Sequence, residues 1–128
     1  AGPLLHLRGE HAVTPLAARL RAGGIEAAEA VVYRQRPLPP GEGARAALGG
    51  PRPVVLPLFS PRSAALVAAW GAAAPIRAPL HVVAIGEAAA RAAAPRRPRT
   101  VDLAARPDGA AMRDATLSRL CDEARLEG

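Results

Sequence analysis

Aromatic side chains are scarce in this 128-residue chain, which contains only Tyr33, Phe59 and Trp70. Proteins that bind single-stranded nucleic acid stack its bases on aromatic rings, so this scarcity argues against a nucleic-acid partner. Apolar runs are short, and none approaches the ~20 residues needed to cross a bilayer. No signal-peptide pattern is found either. Both observations argue against a membrane partner. The single cysteine, Cys121, excludes an internal disulfide and predicts a reducing, cytoplasmic location.

Lysine is missing as well, because all 17 basic residues are arginine, and the formal net charge is +6. Arginine-rich surfaces attract polyanions, and the guanidinium group binds a carboxylate or phosphate through two parallel hydrogen bonds. The same composition is typical of a GC-rich genome, so the charge can arise without a functional demand. The composition therefore predicts a small polyanionic ligand at least as readily as a nucleic acid.

Short apolar runs alternate with helical patterns along the chain. The apolar runs predict strands at 4–8, 28–33, 54–59, 81–85 and 100–104. The patterns between them predict helices at 14–22, 60–73, 87–94 and 108–126. Strands that alternate with helices imply βαβ units, so the predicted fold class is α/β, a flavodoxin-like doubly wound parallel sheet.

Two details of these elements can be predicted further. Thr14 and Ser60 begin the first two predicted helices and are expected to be their N-caps, each followed by a proline that suits the first helical turn. The run at 54–59 is nearly all apolar, as expected of a parallel strand that is buried on both faces.

Residues 36–53 differ from the rest of the chain because they are rich in proline and glycine. This composition is typical of a linker, in which only one short helical turn is predicted, around residues 45–48. The linker separates a β-α-β unit at 1–35 from a larger α/β unit at 54–128.

Three strand ends share one design, in which an apolar strand is followed by small or polar residues and then by a helix. These strand ends are Leu7–Glu10, Phe59–Ser63 and Ala84–Ala89. In open parallel sheets ligands bind beyond the carboxyl ends of the strands, where helix N-termini offer unpaired N–H groups that suit anions. The pattern predicts an anion site, although it is generic to doubly wound proteins.

Five short segments resemble the uroporphyrinogen-III synthase family. The string LHLRGE at 5–10, followed by VVYR at 31–34, is similar to the middle of those synthases. FSPRSA at 59–64, AIGEAAARA at 84–92 and VDLAARP at 101–107 resemble later segments, in the family's order and spacing. The chain departs from the family where threonine usually follows Gly-x, because it has alanines there, which leaves only backbone donors at that turn.

The resemblance implies an architecture and an activity. Family members have two domains and are about twice as long, so this chain corresponds to their C-terminal half, with 1–35 ending the second domain and 54–128 completing the first. The family closes linear hydroxymethylbilane, a polycarboxylate, into uroporphyrinogen III with inversion of ring D. It uses no metal or cofactor. The implied activity is therefore a cofactor-independent lyase (a hydro-lyase) of tetrapyrrole, porphyrin and haem biosynthesis.

The resemblance also implies site residues. Tyr33 would be the catalytic proton donor that assists departure of the terminal hydroxyl of the substrate. The implied substrate-binding residues are Arg8, Gly9, Ser60, Arg62, Ser63, Gly86, Glu87 and Ala88.

Simpler interpretations of these residues stay open. Tyr33 can be a packing residue with a wet hydroxyl, Ser60 a helix cap alone, and the arginines solvated surface groups. No metal site is predicted, because the three histidines lack acidic or cysteine partners at ligand spacing.

Other functions and assemblies also stay open. One alternative is a flavodoxin-like anion-binding module, which the lack of a G-x-G-x-x-G or Walker pattern disfavours. Another is a non-catalytic fragment that awaits its N-terminal half. The chain can close into one domain, or its linker can stay extended and exchange the β-α-β unit with a second copy, giving a swapped homodimer.

Overall fold

The computed structural model describes residues 2–12, 14–71 and 75–126. The chain divides into two compact units, Ala1–Leu38 and Pro39–Gly128. In the described residues the strands form one two-stranded and one three-stranded sheet, both parallel, with helices between the strands. The α/β fold class predicted from the sequence is confirmed.

The first unit is a β-α-β unit, as its hydrophobic pattern predicts. Its elements are strand β1 (Leu4–Gly9), helix α1 (Leu16–Ala22) and strand β2 (Ala27–Tyr33). The strands pair in parallel from Leu4 opposite Ala27, and their register shifts between Arg8 and Gly9.

Helix α1 begins later than predicted. Thr14 was expected to cap it, but the N-cap residue is Pro15 and no side chain caps the helix. The backbone of Thr14 instead accepts a hydrogen bond from the Leu16 N–H at 2.8 Å. Pro15 has φ −76° and ψ 69°, which is the backbone of an inverse γ-turn and not of a helix, so α1 begins at Leu16 and Thr14 lies too early in the chain to cap it. The Thr14 cap prediction is therefore wrong.

The second unit contains a helix inside the predicted linker. Helix α2 (Glu42–Gly49) has eight residues, which is longer than the single turn that the sequence predicted. Leu48 explains its stability, because this side chain is only 4% exposed and belongs to the core. The Leu48 carbonyl also accepts hydrogen bonds from the N–H groups of Arg77 and Ala78 at 2.9 and 3.0 Å.

The remaining elements alternate strand and helix. They are strand β3 (Val54–Leu58), helix α3 (Pro61–Ala69), strand β4 (Leu80–Ala84), helix α4 (Glu87–Ala93), strand β5 (Thr100–Leu103) and helix α5 (Gly109–Leu126). The strand order is β3-β4-β5, so β4 is central. Helix α3 ends at Ala69, whereas its predicted end at residue 73 lies outside the described residues.

The strand buried on both faces is β4, and not the 54–59 run for which this was predicted. Every residue from Leu80 to Ala84 is buried, whereas Val54, Val55 and Leu56 are half-buried and Pro57 is exposed. The reason is that β3 lies at an edge of the sheet, where a proline, which has no N–H to donate, is tolerated. Apolar composition alone did not separate an edge strand from a central one.

Helices cover both faces of this sheet. Alternate residues of β4, namely Leu80, Val82 and Ala84, belong to the core cluster that also contains Ala64 of α3 and Ala89 of α4. The intervening residue His81 instead contacts Glu123 of α5. The sheet is therefore doubly wound, with α3 and α4 on one face and α5 on the other.

A polar network ties α5 to this second face. Arg119 donates to both carboxylate oxygens of Asp102 on β5, at 2.7 and 2.8 Å, and its Nη1 lies 3.6 Å from Glu123. Glu123 in turn lies 3.3 Å from Nδ1 of His81, which is 3.0 Å from the Thr100 hydroxyl. The hydrogen bond from Arg119 lowers the pKa of Asp102, and Asp102 raises the pKa of Arg119.

Removing Arg119 should weaken the second unit in a pH-dependent manner. Because the folded-state pKa of Asp102 lies below its ordinary value of 3.8, the pair adds stability above that pH and loses it as the pH falls through the folded-state pKa. We expect Arg119→Met to lower the free energy of unfolding by about 1–2 kcal/mol at pH 7, a figure reduced for partial exposure of the pair. The difference from the unmodified chain should shrink below about pH 4.

Arg113→Met is the matched control, because Arg113 lies on the same helix and pairs with its exposed neighbour Asp114. Its expected effect is below about 0.5 kcal/mol at either pH. Urea unfolding followed by the fluorescence of Trp70, the single tryptophan, measures both variants. Equal losses in the two variants, or a loss that is independent of pH, would contradict the prediction.

No helix within residues 2–12, 14–71 and 75–126 combines the length and apolar character needed to span a membrane.

Candidate functional site

Two of the three predicted strand ends lie at one edge of the second unit. Strands β3 and β4 are parallel neighbours, so their carboxyl ends share an edge. The segment Ser60–Ser63 follows β3 and starts α3, and Gly86–Ala88 follows β4 and starts α4. The structure therefore brings together six of the predicted site residues: Ser60, Arg62, Ser63, Gly86, Glu87 and Ala88.

Ser60 is the N-cap of α3, as predicted. Its backbone is extended, and its hydroxyl accepts a hydrogen bond from the Ser63 N–H at 3.0 Å. The two hydroxyls lie 2.9 Å apart, and the Ser63 hydroxyl donates to the Ser60 carbonyl at 2.9 Å. Pro61 occupies the first turn, where its missing N–H costs nothing. The N-terminus of α3 thus carries two hydroxyl groups that are held in place by hydrogen bonds. Arg62 lies beside them and is half-buried.

The start of α4 presents backbone and one acidic group. Gly86 has extended backbone, and its carbonyl accepts from the N–H groups of Ala89 and Ala90, both at 3.1 Å. Glu87 and Ala88 are exposed. The Glu87 carboxylate lies 3.3 Å from Arg91, one turn further along the helix. The carboxylate of Glu87 would repel an anionic ligand at this turn, and the charge of Arg91 is needed to offset that repulsion.

Helix α5 starts beyond β5, the third strand of the same sheet, with a carboxylate in the cap position. Asp108 accepts from the Ala111 N–H at 2.8 Å and from Arg106 Nε at 3.0 Å. The backbone hydrogen bond from Ala111 is the main cause that lowers the pKa of Asp108, and Arg106 adds to it. Arg106 was not selected from the sequence as a site residue, although it lies only three residues beyond the end of β5.

In the first unit, Tyr33 lies directly on Gly9. A Cβ atom built on Gly9 would lie 2.6 Å from both Cε2 and Cζ of Tyr33, and 2.8 Å from its hydroxyl oxygen. Gly9 is buried, whereas Tyr33 is 57% exposed. The phenol of Tyr33 is thus held against backbone on one side and open to solvent on the other.

Arg8 directs its guanidinium at the protein. Its Nη1 donates to the carbonyls of Gly9 and Glu10 at 3.0 and 3.1 Å, and its Nη2 donates to Glu29 at 2.9 Å. The hydrogen bond from Arg8 lowers the pKa of Glu29. The arginine therefore braces the end of β1, and a carboxylate ligand would have to compete with these contacts.

Each unit also has a cavity among its described residues. The first, of about 250 Å³, lies beside Arg8 and Glu29 and reaches Thr14 and Pro15. The second, of about 590 Å³, lies at the amino end of β3 between α2 and α5, where Arg52 and Glu123 are its charged lining residues. The larger cavity is thus not at the carboxyl edge of the sheet. The helix starts, which suit anions, make that edge the better candidate.

Metal ligands do not cluster in the part of the chain that the structure describes: no three or more His, Cys, Asp or Glu side chains are placed to hold an ion.

Parallel strands with helices on both faces, and helix starts gathered at one edge of the sheet, define a doubly wound α/β protein whose edge suits anions. The family model of uroporphyrinogen-III synthase HemD matches residues 1–113, which include the first unit, the second unit up to the start of α5, and every predicted site residue. The chain belongs to the uroporphyrinogen-III synthase family. Neither the curated proteins nor the solved structures gave a match to it. Membership supports a uroporphyrinogen-III synthase-type role in tetrapyrrole biosynthesis.

Proposed function

We propose that this chain catalyses the closure of hydroxymethylbilane to uroporphyrinogen III, with inversion of ring D. The observation that supports this most directly is the exposed phenol of Tyr33, fixed on Gly9 within a chain that matches the family over residues 1–113. The proposed site of action is the cytoplasm, which is reducing and therefore suits the exposed thiol of Cys121.

The proposed reaction begins with loss of water from the substrate. The phenol of Tyr33 donates its proton to the terminal hydroxyl, the carbon–oxygen bond breaks, and the oxygen leaves with the electron pair as water. The pyrrole nitrogen supplies electrons to the carbon, which gives an azafulvene electrophile. The substituted carbon of the last ring then attacks it and forms a spiro intermediate. The bond from that carbon to the bridge carbon of the third ring breaks, its electron pair returning to the last ring, and the bridge carbon becomes a second azafulvene electrophile. The free carbon of the last ring attacks this bridge carbon, which inverts the ring, and then loses its proton to restore the phenol, so that the net change is loss of one water.

Binding of the substrate is the second part of the proposal. The substrate carries several carboxylates, for which backbone N–H groups at helix starts and arginine side chains are suited. In the second unit the proposed binding groups are the Ser60–Ser63 turn with Arg62, and the Gly86–Ala88 turn. In the first unit Gly9 lies under the proposed donor, and Arg8 contributes chiefly by bracing the strand end. Much of the catalysis would then be positioning of the last ring for attack.

The family's architecture gives the proposed place of each segment. Residues 1–35 would correspond to the end of the family's second domain, and residues 54–128 to the C-terminal part of its first domain.

The test is the isomer composition of the product. Hydroxymethylbilane generated enzymatically is mixed with the full chain, and the uroporphyrinogen isomers are separated after a fixed time. We expect isomer III in excess over the isomer I that forms spontaneously, in proportion to the amount of chain added. A reaction without the chain and one with heat-denatured chain are the controls. Isomer I alone, at the rate of these controls, would overturn the proposal.

A further inference from the structure

The contact between Tyr33 and Gly9 leaves no room for a side chain at residue 9. The distances of 2.6 Å to the ring and 2.8 Å to its hydroxyl oxygen are shorter than a Cβ atom tolerates. Any residue other than glycine would therefore displace the ring or the strand beneath it. The requirement is steric rather than conformational, because among the described glycines only Gly24 and Gly71 have positive φ.

A shift in strand register creates this contact. Arg8 pairs with Val31, but the next residue, Gly9, pairs with Tyr33, so that Val32 is left without a partner of its own. In an unbroken register Tyr33 would stand opposite Glu10. Bulges of this kind re-aim a side chain and often lie next to active sites. Here the bulge moves the ring of Tyr33 back over the one residue of β1 that has no side chain.

The backbone beneath the ring is held from two directions. Arg8 donates to the carbonyls of Gly9 and Glu10 and is itself anchored by Glu29. The Glu10 N–H donates to the Tyr33 carbonyl at 3.0 Å. The surface on which the ring lies is therefore fixed by hydrogen bonds on either side of Gly9.

We propose that Gly9 is a positioning residue for the reaction, setting the location of the Tyr33 hydroxyl by offering bare backbone to the ring. This inference rests on the proposed role of Tyr33 as proton donor. In this inference Gly9 acts by positioning Tyr33 and does not itself contact the substrate.

The experiment compares Gly9→Ala with the unmodified chain by two separate measurements. Tyr33 is the only tyrosine, so its ring NMR signals report on this contact. In the unmodified chain the Hα signals of Gly9 should be displaced by the ring current of Tyr33. In Gly9→Ala the ring signals should move, and kcat should fall about tenfold because the hydroxyl is displaced, while KM stays unchanged.

Two further variants separate positioning from general loss of structure. Gly43→Ala is the matched control, because a Cβ at Gly43 meets nothing within 4 Å, and it should leave kcat and the tyrosine signals unchanged. The double variant Gly9→Ala/Tyr33→Phe should be no slower than Tyr33→Phe alone, because the displaced hydroxyl is already gone. A purely structural effect of Gly9→Ala would slow the double variant further.

The outcomes distinguish this inference from the proposed function. Absence of a ring-current shift at Gly9 in the unmodified chain would overturn the inference, whatever the activity. Additive losses in the double variant would overturn it as well. If Tyr33→Phe has no effect on turnover, the donor role of Tyr33 fails and the positioning role fails with it, even if the NMR contact is present.

Discussion

Replacing Met112 by alanine is expected to lower the free energy of unfolding of the second unit by about 2–5 kcal/mol. Met112 lies on α5, is fully buried, and is among the largest side chains that the described residues bury completely. Truncation removes its apolar contacts and leaves a cavity, which α5 cannot close because the Arg119–Asp102 pair holds the helix to the sheet. The loss is a large fraction of the stability of an ordinary domain.

Two variants calibrate this expectation. Leu117→Ala removes a side chain of similar size from the same helix, but Leu117 is 53% exposed, so its cost should stay below about 1 kcal/mol. Met112→Leu nearly conserves volume and should cost less than about 1.5 kcal/mol. Urea unfolding followed through Trp70 is the measurement, since Trp70 packs against the core of the same unit. Equal midpoints for Met112→Ala and Leu117→Ala would show that α5 does not form the second cover of the sheet.

The fold could be predicted from the sequence wherever one local pattern decides an element. The alternation of apolar runs with helical patterns was sufficient for the five strands of the described chain and for the parallel α/β class. Ser60 before Pro61 gave the start of α3, because cap chemistry acts over three residues and needs no distant partner.

Prediction failed where a distant contact decides. Helix α2 lies in a proline- and glycine-rich segment, and it is stable because Leu48 reaches the core and its carbonyl accepts from residues 77 and 78. The burial of β4 exceeds that of β3 because of strand order, which is a property of the whole sheet. His81 interrupts the apolar pattern of the central strand, and only its contact with Glu123 accounts for it.

In the candidate site, too, local features could be predicted and distant contacts could not. Residue types and their places at strand ends could be predicted, but their partners could not. Arg8 was expected to face a carboxylate of the substrate, yet its hydrogen bonds go to the end of its own strand and to Glu29. Gly9 was expected to line the substrate-binding site, and the structure shows that it also lies under an aromatic ring. Both relations depend on the pairing of β1 with β2, including a register shift that no local signal indicates.

Each unit contains its own chromophore, so variants of the two units can be tested separately. Tyr33 is the single tyrosine and lies in the first unit, whereas Trp70 is the single tryptophan and lies in the second. A variant of one unit can therefore be checked for its effect on that unit's own signal before any activity is measured.

Tyr33→Phe is expected to lower kcat by about 100-fold, the smallest factor usually supplied by a positioned proton donor. The substitution removes one oxygen atom and keeps the ring that lies on Gly9, so the packing at the end of β1 is preserved. Because the hydroxyl assists departure of water only as the carbon–oxygen bond breaks, its loss should lower kcat and kcat/KM equally and leave KM unchanged.

Rates of isomer III formation at saturating hydroxymethylbilane measure this effect. Ser118→Ala, which removes an exposed hydroxyl from α5, is the control for loss of a hydroxyl as such and should not change the rate. Unchanged turnover in Tyr33→Phe, with isomer III still formed, would show that the leaving hydroxyl takes its proton from another donor, and that the ring of Tyr33 contributes packing alone. A raised KM with unchanged kcat would instead assign the phenol to substrate binding. Only a fall in kcat at constant KM fits a donor that acts in the transition state, because binding contacts that are equal in ground and transition states cannot accelerate the chemical step.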